Sequence, residues 1–188
     1  MMQLLKDSEE IKSISTGEMA KILADAYGKY IEKNIPFKQF PAVMLWGAPG
    51  VGKSQGVVEL AEILESNTGK KVVITDVRLI LFNPVDLRGI PTSNIEKTMA
   101  IWLKPKIFEM SEDSDIVNVL FLDEITSAPQ SVQAAAYQIT LDRTIGEHKL
   151  PDNCFVICAG NRLNDRSVSV KMPRALANRL CHFTISVN

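Results

Sequence analysis

The amino-acid sequence predicts an α/β fold in which a parallel β-sheet is covered by helices on both faces. Short apolar runs that are typical of buried strands alternate along the chain with segments of helical periodicity. A glycine-rich turn also joins the first of these runs directly to a helix. No linker divides the 188 residues, so we expect one domain, with a lead-in at residues 1–17 and the core at residues 18–188.

The predicted elements follow one another in a simple order. Helical spacing of apolar residues predicts a first helix and then a second one after the glycine-rich turn. Five apolar runs predict the strands, and two turn-rich segments predict small hairpins. The helices are predicted at residues 18–33, 54–67, 131–142 and 173–180; the strands at 42–46, 70–80, 115–124, 154–161 and 181–187; a loop, a small hairpin and a short helix within 86–110; and a second hairpin within 143–153.

Composition excludes several classes of protein. The formal net charge of −1 provides no general attraction to nucleic acid or to anionic lipid. No apolar stretch approaches the roughly 20 residues that a membrane span needs, and we expect a cytoplasmic protein without membrane or nucleic-acid partners. Cys154, Cys158 and Cys181 lack the CxxC spacing of zinc sites, and we expect reduced thiols buried on core strands.

The segment GAPGVGKS, residues 47–54, has the spacing of a loop that binds nucleotide phosphates. Its glycines let the backbone approach the phosphates closely. Lys53 is expected to contact the β- and γ-phosphates, and the Ser54 hydroxyl is expected to ligate Mg²⁺. The alternative is a glycine turn that caps a helix beside a surface lysine. The predicted nucleotide-binding residues are Gly47, Pro49, Gly50, Val51, Gly52, Lys53, Ser54 and Gln55.

An acidic pair, Asp123 and Glu124, ends the predicted strand at residues 115–124. The carboxyl end of a buried strand is where ligands bind in open α/β sheets. Asp123 is expected to hold Mg²⁺, through a water molecule, and Glu124 to act as general base on the water that attacks the γ-phosphate. This pair favours hydrolysis of ATP over transfer of its phosphate. The alternative is that both residues merely begin the next loop.

A guanine-nucleotide switch is the main competing class. Residues 86–89, DLRG, match the short DxxG pattern of such switches. No NKxD motif, which recognises guanine, occurs in the sequence. The acidic pair also ends a clearer apolar strand than the one that precedes Asp86. We therefore reject the switch.

The order of four segments resembles that of AAA+ ATPases. GAPGVGKS, VLFLDE, FVICAGN and MPRALANRL follow one another as the Walker A, Walker B, sensor 1 and arginine-finger regions of that superfamily do. The stretches DVRLILFNPVDLRGIP and LPDNCFVICAGN are similar to the MoxR-like branch. The resemblance implies a P-loop NTPase three-layer sandwich, with five parallel strands in the order 5-1-4-3-2 and small hairpin insertions. Members of the family carry a helical lid after this core, and the sequence ends at Asn188 before one is predicted.

The resemblance also implies roles for two further residues. Asn161 matches the sensor that orients the lytic water, although an asparagine there also suits a tight turn. Arg179 matches the arginine finger that stabilises charge on the γ-phosphate, and such a residue can come from a neighbouring subunit. A surface ion pair is the alternative for Arg179. Competing arginines are Arg174, the next candidate, Arg166 and Arg162.

The function implied by this resemblance is ATP hydrolysis, with ATP, ADP and Mg²⁺ bound at the site. We expect a homo-oligomer, a hexameric ring by family analogy, that remodels a protein partner in the manner of a chaperone. The analogy also offers a partner bearing a von Willebrand factor A domain. A second hypothesis is a nucleotide-gated binding or assembly module with little turnover, which the missing lid favours. Helicase loading is a subsidiary possibility that the charge pattern does not support.

Overall fold

A computed structural model describes residues 13–161 and 177–186 of the chain. The helices are α1 (Thr16–Glu32), α2 (Lys53–Thr68), α3 (Pro84–Arg88) and α4 (Gln130–Asp142). The strands are β1 (Val43–Trp46), β2 (Lys71–Arg78), β3 (Ile90–Ser93), β4 (Ala100–Leu103), β5 (Ile116–Asp123), β6 (Thr144–Ile145), β7 (His148–Lys149), β8 (Cys154–Gly160) and β9 (Cys181–Thr184). Short 3-10 helices lie at Phe37–Gln39, Leu79–Leu81 and Lys106–Phe108.

Five strands form one parallel sheet in the order β2-β5-β8-β1-β9. When the strands of this sheet are counted along the chain, the order is 5-1-4-3-2, so the predicted fold class is confirmed. The two predicted hairpins are also present, as the antiparallel pairs β3–β4 and β6–β7. A parallel sheet aligns the carboxyl ends of its strands at one edge, and this alignment positions the site described below.

The three central strands of the sheet, β5, β8 and β1, are buried on both faces. Met44 and Leu122 pack with α4 in one apolar cluster, whereas Leu45 and Phe121 pack with α1 and α2 in another. Adjacent residues of a strand point to opposite faces, so neighbouring side chains in β1 and β5 enter different clusters. This explains why the strands appear in the sequence as continuous apolar runs rather than as alternating patterns.

Helix α1 begins with a capping box and packs against an aromatic stack. Ser15 Oγ accepts a hydrogen bond of 3.2 Å from the Glu18 amide, while the Glu18 carboxylate accepts one of 2.9 Å from the Ser15 amide. Further along the helix, Tyr27 stacks on Phe155 with a centroid distance of 3.7 Å, and Phe37 stacks on the same ring at 4.1 Å. These contacts fix α1 over β8.

One helix was not predicted from the sequence, and one predicted helix lies mostly outside the described residues. Helix α3 was not predicted, because five residues are too few to show periodicity. Its start does carry a local signal, since Asn83 precedes Pro84 and the Asp86 carboxylate accepts a hydrogen bond of 2.7 Å from the Asn83 amide. The helix predicted at residues 173–180 lies outside the described residues, except for its final turn, Ala177–Leu180. Within the described part of the chain, no helix is long and apolar enough to cross a membrane.

Candidate nucleotide site

A cavity of about 320 Å³ opens at the carboxyl edge of the sheet. It lies where the loop after β1, the end of β5 and the end of β8 meet, together with the end of the edge strand β2. The residues that line it are Pro49, Gly50, Gly52, Lys53, Ser54, Gln55, Arg78, Asp123, Glu124, Gly160 and Asn161.

The loop between β1 and α2 relies on glycine conformations. Gly50 and Gly52 have φ angles of 81° and 88°, in the left-handed region that other residues rarely adopt. Gly52 is also the N-cap of α2, so the amino end of this 16-residue helix faces the cavity. Free backbone amides at a helix N-terminus attract anions. The geometry therefore suits a phosphate group.

Lys53 is held at the base of this loop. The residue is only 9% exposed, and its ammonium group donates hydrogen bonds to Gly47 O at 2.6 Å, Ala48 O at 3.1 Å and Asn161 Oδ1 at 3.1 Å. A buried ammonium group requires such oxygen partners. These contacts connect the loop to the end of β8 and leave the charge at the cavity wall.

Ser54 and Asp123 bring two oxygen donors together. The Ser54 hydroxyl donates a hydrogen bond of 3.1 Å to Asp123 Oδ2, and Asp123 Oδ1 accepts one of 2.8 Å from the Glu124 amide. Hydroxyl and carboxylate oxygens are the ligands that Mg²⁺ prefers, and the ion usually retains several water molecules. This donor set fits Mg²⁺. Among the described residues, no group of three or more His, Cys, Asp or Glu side chains is arranged to hold a metal ion.

Glu124 turns the chain immediately after β5. Its φ angle is 57°, which is unusual for a residue with a side chain. Strained conformations of this kind cost about 1–3 kcal/mol and cluster at functional sites. The turn allows Asp123 to contact Ser54 while the adjacent Glu124, which is half-buried, lines the cavity.

Thr126 positions Asn161 and was missed in the sequence analysis. Its buried hydroxyl accepts a hydrogen bond of 2.9 Å from the backbone amide of Asn161 and donates one of 3.2 Å to the backbone carbonyl of the same residue. Gly160 makes this approach possible, because a Cβ atom there would lie 2.7 Å from both Thr126 Cγ2 and Met44 Cε. An isolated threonine two residues after an acidic pair gives no sequence signal for this role.

Arg78 and Gly160 line the cavity and were also missed in the sequence analysis. Arg78 ends β2 directly opposite Asp123 of β5. Asp76, two residues earlier, has its carboxyl pKa raised by partial burial and by the charge of Asp123, whereas the charge of Arg78 lowers it. The place of Arg78 beside Asp123 depends on the register of β2 against β5, for which the sequence carries no local signal.

The cavity includes most, but not all, of the predicted site residues. Gly47 and Val51 do not line it, and neither does Arg179, which lies exposed in the turn Ala177–Leu180. The competing arginines Arg162, Arg166 and Arg174 lie outside the described residues.

The turn that carries Arg179 is tied to the end of β1. The indole Nε1 of Trp46 donates a hydrogen bond of 2.8 Å to His182 Nδ1, and the two rings stack with an interplanar angle of 13°. Because Nδ1 accepts, His182 Nε2 carries the proton and donates to the Ala177 carbonyl at 2.7 Å. Trp46 directly precedes Gly47, so this chain of contacts links the turn to the phosphate loop.

Comparison with solved structures supports the fold. The chain is similar to PCH-2 of C. elegans with a TM-score of 0.55 and 19% identity over 91% of this chain and 42% of that one. It is similar to a mutant of Thermotoga maritima RuvB with a TM-score of 0.54 and 20% identity over 92% and 46%. A candidate ATPase from Cytophaga hutchinsonii gives a TM-score of 0.53 and 19% identity over 92% and 47%. The chain thus spans less than half the length of each of these structures.

Comparison of sequences identifies the family. No curated protein sequence is significantly similar to this chain. Residues 43–183, however, match the ATPase family associated with various cellular activities. The matched region begins with β1 and extends into β9, and it therefore contains the entire cavity described above. The chain belongs to the AAA family of ATPases.

Proposed function

We propose that this chain binds ATP with Mg²⁺ and hydrolyses it to ADP and phosphate. The observation that carries the proposal is the convergence of Lys53, Ser54, Asp123, Glu124 and Asn161 on one cavity. These residues come from three separate segments of the chain, and each type suits a different part of the reaction. Family membership is consistent with the proposal, since the family is one of ATPases.

Each residue has a distinct task in the proposed reaction. Lys53 and the amides of residues 51–54 hold the β- and γ-phosphates, while Ser54 and Asp123 hold Mg²⁺, which neutralises phosphate charge when bound. Glu124 accepts a proton from the attacking water, whose oxygen bonds to the γ-phosphorus as the bond to the β–γ bridging oxygen breaks. The side-chain amide of Asn161 orients that water. It carries no charge that would compete for the metal.

Arg179 is proposed to act on the site of a neighbouring subunit. The residue is exposed and does not line the cavity of its own chain. An arginine that stabilises charge on the γ-phosphate can be supplied by another subunit. We therefore propose a homo-oligomeric ring of the MoxR-like branch, with residues 18–188 as its ATPase core, that remodels a protein partner; a domain of von Willebrand factor A type is one candidate.

A nucleotide-gated module with little turnover is the second candidate function. The position of Arg179 outside the cavity favours it for an isolated chain, because such a chain has a pocket for ATP without this cation. In that case ATP would set a conformation or an assembly, and hydrolysis would be incidental.

Phosphate release measured against protein concentration separates the two candidates. An assembled enzyme should release phosphate at a rate per subunit that rises with concentration and then levels off. The Glu124→Gln variant serves as the control for contaminating ATPases at every concentration. A rate no greater than that of this control, at concentrations where light scattering shows oligomers, would reject hydrolysis and favour the gated module.

A further inference from the structure

The end of the edge strand β2 brings a cation into the candidate nucleotide site. Arg78 is paired in register with Asp123, and residues directly opposite each other on neighbouring strands lie on the same face of a sheet. Arg78 lines the same cavity as Lys53 and Glu124. Arg78 therefore lies in the same part of the site as the two carboxylates, Asp123 and Glu124.

This cation has no strong partner in the described part of the chain. Arg78 is exposed, and no carboxylate oxygen of the described residues lies within 4.0 Å of its nitrogen atoms. It affects Asp76 only through its charge, by lowering the pKa of that carboxyl group. Its five N–H donors are thus available to a ligand, and a guanidinium group matches phosphate oxygens in a bidentate manner.

The charges along the cavity indicate which part of a nucleotide Arg78 would contact. Lys53 lies at the phosphate loop and already donates to two of the loop's carbonyls. Asp123 and Glu124 also line the cavity, and their charges would repel a terminal phosphate. Arg78 lies beside Asp123, so its charge offsets this repulsion at the end of the cavity where the terminal phosphate would sit.

We propose that Arg78 contacts the γ-phosphate of ATP bound to its own chain. The inference rests on the function proposed above, and it adds a residue that distinguishes ATP from ADP. Unlike the role proposed for Arg179, this contact needs no second subunit. It provides each site with a second cation for the terminal phosphate, in addition to Lys53, before any assembly forms.

Calorimetric titration of Arg78→Ala with ATP and with ADP, both in the presence of Mg²⁺, tests the inference. All proteins carry Glu124→Gln, so that ATP persists during the measurement. The matched control is Lys71→Ala, which removes one positive charge from the exposed opposite end of the same strand. We expect Arg78→Ala to weaken ATP binding by about 10- to 100-fold and ADP binding by less than about 3-fold, because a charge-assisted contact is lost only with ATP.

The other variants define the remaining outcomes. Arg78→Lys should retain part of the preference for ATP, since it keeps the charge and loses the bidentate geometry. Equal affinities of Arg78→Ala and the Lys71→Ala control for ATP would overturn the inference while leaving the proposed function intact, as would equal weakening of ATP and ADP binding. Absence of nucleotide binding in the parent and in all variants would overturn both. Circular dichroism of each variant verifies that the fold is retained, and Arg78→Lys provides the comparison if the alanine variant does not fold.

Discussion

The hydroxyl of Ser54 and the carboxylate of Asp123 lie 3.1 Å apart, although 69 positions separate them in the chain. The hydrogen bond joins the first turn of α2 to the last residue of β5. The two oxygen donors expected to ligate Mg²⁺ are therefore adjacent in the folded chain. A bound Mg²⁺ would replace this hydrogen bond.

Replacing Lys53 with alanine should abolish ATP binding and preserve the fold. The ammonium group is the cation of the phosphate loop, and its hydrogen bonds to Gly47 O, Ala48 O and Asn161 Oδ1 lie at the cavity. Calorimetry with ATP and Mg²⁺ measures the affinity, and circular dichroism measures the fold. Lys29→Ala, which removes an exposed ammonium group from α1, is the control and should bind ATP as the parent does. Unchanged affinity in folded Lys53→Ala would refute the phosphate-loop assignment.

Replacing Glu124 with glutamine should preserve ATP binding and nearly stop hydrolysis. The amide keeps the shape of the side chain but cannot accept the proton of water, and loss of a general base costs about 100- to 10,000-fold in rate. Phosphate release under saturating ATP measures the effect. Glu62→Gln, at an exposed position of α2, controls for the loss of one negative charge. A near-normal rate in Glu124→Gln would place the base elsewhere.

Arg179→Ala should bind ATP normally and hydrolyse it slowly, because an arginine finger contributes about 1,000- to 100,000-fold. Mixing this variant with Lys53→Ala should restore part of the activity, since one subunit then supplies an intact pocket and the other an intact arginine. The mixtures should be measured at high concentration, with each variant alone as control. If light scattering shows mixed assemblies and no activity returns, Arg179 does not act between subunits, and Arg174 becomes the next residue to test.

Replacing Tyr27 with phenylalanine should stabilise the fold. The ring is completely buried, and its hydroxyl has no hydrogen-bond partner within the described residues. Removing an unsatisfied buried hydroxyl should raise the free energy of unfolding by about 1–2 kcal/mol, as judged by urea denaturation. Tyr137→Phe is the matched control. It removes a hydroxyl that donates to Gln133 Oε1 at 3.3 Å and should lower stability instead. A loss of stability in Tyr27→Phe would mean that this hydroxyl has a partner in solution.

The three cysteines should differ in reactivity toward an aromatic disulfide reagent. Burial raises the pKa of Cys154 to about 11 and that of Cys158 to about 12, and both thiols lie in the interior strand β8. Cys181 lies half-buried on the edge strand β9, and burial also raises its pKa. Because the thiolate reacts, labelling should be slow at neutral pH, should accelerate as the pH rises, and should reach Cys181 first. Mass spectrometry of peptides identifies the site, and early labelling of Cys158 would contradict the expectation.

The sequence predicts the parts of the fold that depend on local pattern. Apolar runs reveal β5 and β8 because both faces of these strands are buried, and the spacing from Gly47 to Ser54 identifies the loop before α2. Helix α3 has no such pattern, since only the cap at Asn83 marks it. Chain order and resemblance predicted the arrangement of the sheet, and the structure confirms it.

Contacts between distant segments could not be predicted in this way. Thr126 is important because its hydroxyl meets the backbone of Asn161, and Arg78 because register places it opposite Asp123. Each depends on strand pairing over tens of residues, for which one sequence has no local signal. The hydrogen bond from Trp46 to His182 is of the same kind.

The position of β1 within the sheet affects how the chain folds during synthesis. Both neighbours of β1, the strands β8 and β9, emerge from the ribosome about a hundred residues or more after it. Until then the strand that carries the phosphate loop has apolar side chains and no strand partner. The cavity therefore lacks Gly160 and Asn161 until β8 has been translated. An incomplete chain exposes an unpaired, aggregation-prone strand edge at the place where the finished protein forms its site. Protection by molecular chaperones matters most at that stage.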